Sequence, residues 1–161
     1  MRPRLALLLG LLLAGCGGGD GPLRVVGARP PAGAEPAGKR AERQGGADPS
    51  AGEPIFRLQA GEGERLRYAV TLRNATEAPV TVAGVVADED RDGAFVPQGV
   101  VGAPLQIAPG SESTVEIEGV VRGCRFGAQS VPLAGPELRL GDGETQELGM
   151  PIRTELRVGG C

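Results

Sequence analysis

From Glu53 onward, apolar and polar residues alternate along the chain. In ERLRYAVTLRN, Leu66, Tyr68, Val70 and Leu72 share one face, while Arg65, Arg67, Thr71 and Arg73 occupy the other. A period of two over this length is the pattern of a half-buried β-strand. After the turn residues ATEA, PVTVAGVV predicts a second strand through Val80, Val82 and Val85. Pro79 can open that strand, because its missing N–H then costs the ladder nothing. APLQI runs into the turn APGS, and STVEIEGVV alternates again with Val115 and Ile117. PELRL and ETQELGMPIRTELRV flank GDGE, whose Asp142-Gly143 favours a two-residue hairpin turn. PIFRLQ, Pro54 to Gln59, predicts the first strand of the series. No segment carries a helical period. About seven short strands in roughly 100 residues predict an all-β, antiparallel sandwich over residues 53–161, with a barrel as the alternative.

Upstream the pattern is lost. Residues 17–52 contain ten Gly and five Pro and few large apolar side chains. Such a segment buries too little surface to offset its ordering entropy, so residues 16–52 read as a disordered tether. A flexible chain of that length averages about 30–35 Å from end to end. Within it only LRVV, Leu23 to Val26, looks capable of docking.

The first fifteen residues have a different character. MRPR is positively charged, and LALLLGLLLAG is an apolar run of about eleven residues, short of the roughly 20 that span a bilayer. Charge followed by a short apolar run is the layout of a secretory signal. Its end, Leu13-Ala14-Gly15-Cys16, resembles the lipobox of bacterial lipoproteins. The resemblance implies cleavage before Cys16, a diacylglyceryl thioether on its sulfur, and acylation (palmitate or a similar chain) of the new N-terminus. The protein is then expected at the cell membrane, lipid-anchored on its extracytoplasmic face. Two or more acyl chains hold a protein firmly on a bilayer, whereas one is marginal.

The cysteine count acquires meaning from this. Of three cysteines, lipidation of Cys16 leaves Cys124 and Cys161, which can pair in an oxidising compartment. Such a bridge would contribute on the order of 3–4 kcal/mol by the chain-entropy argument. A metal-binding pair is the rival reading, but the chain has no His and no CxxC. Lys and Arg total 17 against 20 Asp and Glu, a net charge of −3. Loss of Arg2 and Arg4 with the signal lowers it by two more, which leaves no basic footprint for nucleic acid.

A second resemblance lies inside the predicted sandwich. VTLRNATEAPVTVAGV, an irregular stretch with Phe95, and LQIAPGSESTVEI together look like a recurrent immunoglobulin-like module. Its members pair an N-x-x-x-x-P-V-x-V strand turn with a later L-x-P-G-x-S-x-x-V-x-V. They include ASH-type domains and short exported sandwich proteins of high-GC Gram-positive bacteria. The likeness spans Val70 to Val121 and rests on framework positions, so it implies an immunoglobulin-like sandwich and says little of activity. In the exported proteins a cysteine soon after this strand and one at the C-terminus recur, as Cys124 and Cys161 do here. EGVVRGC lacks the aromatic and proline that close this strand in many ASH-type modules.

Candidate chemistry is sparse. DEDRDG, Asp88 to Gly93, places Asp88, Asp90 and Asp92 at the first, third and fifth positions of an EF-hand calcium loop, with Gly93 sixth. The twelfth position, which should be a bidentate Glu, is Gly99. The loop therefore reads first as a solvated acidic turn made by Asp92-Gly93, with weak calcium binding as the alternative. Asn74-Ala75-Thr76 is formally a glycosylation sequon, yet Asn at a strand end more often bonds its own turn. Without His, no Ser-His or Cys-His nucleophile pair can be assembled. Two carboxylates could cleave a glycoside, but nothing in the sequence pairs them and the chain has no Trp for a sugar to stack on. The reading is a non-catalytic binding or scaffolding module on the membrane, with an envelope protein as partner. A ligand or calcium carrier is the second reading, and a hydrolase the third.

Overall fold

The computed structural model describes residues 21–40, 52–87, 93–122 and 130–159. Among these there is no helix; twelve strands form three four-stranded sheets. The first sheet joins β1 (Leu23–Arg29), β4 (Arg65–Asn74), β8 (Glu112–Val121) and β6 (Phe95–Val100), in the order β1-β4-β8-β6. The second joins β11 (Thr145–Glu147), β10 (Glu137–Leu140), β5 (Val80–Val85) and β7 (Leu105–Ile107), in that order. The third joins β2 (Glu35–Lys39), β3 (Pro54–Gly61), β12 (Arg153–Gly159) and β9 (Ser130–Pro132), again in that order. All neighbours are antiparallel except β3 and β12, which run parallel.

The long pair β4–β8 is the backbone of the molecule. Its register runs from Arg65 opposite Val120 to Arg73 opposite Glu112. The inner face sets Tyr68 beside Ile117 and Val70 beside Val115, all buried. The outer face holds polar cross-strand pairs, Arg67 with Glu118 at 3.0 Å and Thr71 with Thr114 at 3.1 Å. Such pairs stabilise a solvated sheet face by a few tenths of a kcal/mol to ~1 kcal/mol each.

That inner face serves two cores. Tyr68, Val70 and Leu72 of β4 pack, with Val115 and Ile117, against Val82, Val85, Leu138 and Leu140 of the second sheet. Leu66 and Val121, nearer the start of β4 and the end of β8, pack instead on Leu58, Ala60, Leu156 and Val158 of the third. Phe95 touches both clusters. Each fully buried Val or Leu in these layers is worth about 1.5–3 kcal/mol relative to exposure.

Several expectations are revised. The tether assigned to residues 16–52 does not hold for residues 21–40, which contain β1 and β2; the described fold starts well before Glu53. Leu23 is 1% exposed in the first core, and β1 completes an edge of the β4 sheet, so a few well-placed residues order this Gly- and Pro-rich stretch. Twelve strands replace about seven, because pieces as short as LQI and SVP form ladders without a readable alternation. The stretch around Phe95 is a strand, β6, bulged between Pro97 and Gly99.

Turn predictions fare better. Ser111 N–H donates to Ala108 O, which closes the APGS turn. The hairpin after β10 lies where GDGE suggested but has three residues, 141–143, between Leu140 and Glu144. Gly143 N–H bonds Leu140 O and Gly143 sits at φ 89°, the left-handed position that ends a three-residue hairpin loop. Asn74 makes its own turn, as its sequence position implied. Its Oδ1 accepts from Thr76 N–H and Oγ1–H, and its Nδ2 donates to Ala78 O and Ile107 O. Fully buried and fully bonded, this amide is occupied as the joint between β4, β5 and β7.

Candidate functional site

The residues singled out for chemistry, Cys16, Asp88, Asp90, Asp92, Cys124 and Cys161, all lie outside the described residues. Their neighbours are described. Val121 and the turn Gly61–Glu64 exchange backbone hydrogen bonds: Gly63 N–H to Val121 O, and Val121 N–H to Glu64 O. Arg122 N–H donates to Ala94 O, and Gly159 pairs with Gly61. One turn therefore lies beside the chain leading to Cys124 and the chain leading to Cys161. Ala94, just after the acidic stretch, is joined to the same cluster.

Beside it opens an apolar cleft of about 290 Å3. Tyr68 and Phe95 form one wall, their rings edge to face with centroids 5.6 Å apart and planes at 67°. Pro132, Ala134 and Pro136 form the facing wall, Pro97 and Val86 contribute to the sides, and Glu147 is the one charged group among the described lining residues. In a chain with one Tyr and three Phe, this pairing concentrates half of the aromatic residues at one place. Gly119 on β8 makes the arrangement possible, since any Cβ there would overlap the Phe95 ring and the Val96 carbonyl. Burial pushes the Tyr68 phenol above its ordinary value of 10.0, so it stays protonated and able to donate. Aromatic, prolyl and aliphatic walls suit a small apolar group.

A second depression, about 630 Å3, runs over the outer face of the third sheet. Here ion pairs form both across strands and along β12. Glu155 accepts from Arg57 at 3.4 Å and from Arg153 at 3.3 Å, and Arg57 also stands opposite Glu35. Arg157 stands between Gln59 and Ser130 in the next row. Exposed pairs of this kind contribute up to ~1 kcal/mol each and give the sheet a solvated face. The groove is polar, and two of its charged side chains, Arg57 and Glu155, already pair with each other.

The alternation of β4 marks Tyr68 as a core position and Phe95 lies in a stretch of irregular sequence, so the local pattern does not join them. Nothing in the local pattern could, because the facing wall comes from residues 132–136. Among the described residues, no group of three or more Asp, Glu, Cys or His could hold a metal ion. No described helix is long and apolar enough to cross a membrane. Set against known proteins, the chain matches no family model and no curated protein.

Proposed function

We propose that the protein is an extracytoplasmic, lipid-anchored binding module: an immunoglobulin-like sandwich held on the membrane through Cys16, which engages its partner without catalysing a reaction. The lipobox Leu13-Ala14-Gly15-Cys16 supports the anchor. Face-to-face packing of the first and second sheets on a Val, Leu and Ile core supports the immunoglobulin-like class. The observation that carries the binding role is the cleft walled by Tyr68 and Phe95 on rigid strands. The convergence of Val121, Gly159 and the Gly61–Glu64 turn supports a Cys124–Cys161 bridge, which a disulfide-linked peptide in a non-reducing digest would reveal.

The test is covalent capture. Intact cells carrying tagged protein are crosslinked, the membranes isolated, and attached proteins identified by mass spectrometry, with Cys16→Ala as the anchor control. An envelope protein captured by the parent chain and lost in Phe95→Ala supports the reading. Capture unaffected by Phe95→Ala removes the cleft from it. A second reading, a calcium or small-ligand carrier, is favoured by one detail: Val86 and Gly93, which lead into and out of the Asp88–Asp92 stretch, line the cleft. Calcium that raises the melting temperature of the parent but not of Asp90→Ala would select it.

A further inference from the structure

Gly21, Pro22 and Leu23 are clasped to the body of the domain. The Gln146 side chain accepts from Leu23 N–H at 3.1 Å and donates to Leu23 O at 2.7 Å, both bonds buried. Gly21 lies so close to the same amide that a Cβ at that position would overlap it. Ala75 N–H donates to Pro22 O at 3.0 Å. Leu23 itself fills the first core. These described contacts begin at Gly21, five residues after Cys16 in the sequence. Five residues reach at most about 18 Å even when fully extended.

From these contacts we infer which end of the sandwich meets the bilayer; the inference rests on lipidation of Cys16. Leu23 pairs with Asn74, at the C-terminal end of β4. Asn74 N–H bonds Ser111 O, and Gly110 N–H bonds Asn74 O, so residues 75–79 and the turn 108–111 share that end with Gly21. The opposite end of β4 is Arg65, next to the Gly61–Glu64 turn. Ten residues of strand separate the two ends by about 30 Å. With an anchor of at most about 18 Å fixed at one pole, that pole is held at the headgroups and the Gly61–Glu64 turn points outward. Residues 75–79 and 108–111 contain one charged side chain, Glu77, and the hairpin 141–144, joined to the start of β5 by Gly141 N–H to Thr81 O, adds Asp142 and Glu144 at the same end. The short tether, rather than charge attraction, therefore holds this pole at the bilayer. The surface in contact with the membrane is thus these loops, and its partner is the layer of lipid headgroups.

The inference is tested with full-length lipidated protein in phosphatidylcholine–phosphatidylglycerol vesicles carrying a headgroup-linked quencher. A clickable residue bearing a dye is introduced as Glu77→p-azidophenylalanine or Glu62→p-azidophenylalanine, both at exposed loop positions. The dye at 77 should be quenched several-fold more than the dye at 62. A flexible Gly/Ser segment inserted before Gly21 should bring the two to similar values. Equal quenching in the uninserted protein, or a difference that survives the insertion, overturns the orientation. Mass spectrometry of the N-terminal peptide separates the two failures. Absence of acyl mass on Cys16 overturns the anchor and the orientation together; acyl mass with equal quenching overturns the orientation alone.

Discussion

β1 and β2 come from the same Gly- and Pro-rich segment and are held by different forces. β1 pairs with the central strand β4 and drives Leu23 into the first core, with its first residue locked by the Gln146 amide. β2, EPAGK, has no buried residue; it is carried by its backbone ladder to β3, bulged between Pro36 and Gly38. Ala34, just before it, makes the nearest contact with the second core. A strand fixed by core side chains should share the stability of the whole domain. One fixed by hydrogen bonds along an exposed edge should open locally at a small fraction of that cost.

The sharpest way to break the contrast is Leu23→Ala. Removal of a fully buried leucine should cost about 2–5 kcal/mol in denaturant unfolding. If it costs under about 1 kcal/mol, β1 is no better anchored than β2. Gln146→Ala comes next, with an expected loss of about 1–3 kcal/mol, because Leu23 N–H and O are left buried without partners. Gln146→Glu refines this: it keeps an acceptor for Leu23 N–H but turns a carboxylate toward Leu23 O, so it should recover little of the loss. Amide exchange measures the same difference without mutation. The amides of β1 that bond β4 should be protected almost as well as β4 itself, and those of β2 should exchange far faster. Smallest of all, Glu35→Ala and Lys39→Ala in β2 should each move stability by no more than about 0.5 kcal/mol.

The same contrast explains what could be read from the sequence. β4 and β8 were legible because a half-buried strand writes its burial as alternation: Leu66, Tyr68, Val70, Leu72, and again Val115, Ile117. β2 writes nothing, since a strand without buried side chains leaves no apolar period. β1 left only LRVV, too short to outweigh the glycines and prolines around it. Periodicity also tells which face is inside but not which strand lies alongside, so the parallel β3–β12 pair and the division into three sheets were not legible. The cleft suffered the same limit: Tyr68 was visible as a core position, while its facing wall, Pro132 to Pro136, is distant in sequence. Asn74 was readable because its bonds to Thr76 and Ala78 are local.

The inner face of the β4–β8 sheet is a wall common to two rooms. Leu66 and Val121 close one core, and Tyr68, Val70, Leu72, Val115 and Ile117 close the other, with Phe95 against both. Neither hydrophobic layer can be exposed by peeling its own covering sheet without leaving the shared wall half bare to water. The two layers are therefore thermodynamically coupled, and heat should melt the domain in a single cooperative step. A ligand seated against the Phe95 ring would bear on both layers at once, raising the melting temperature of the whole domain.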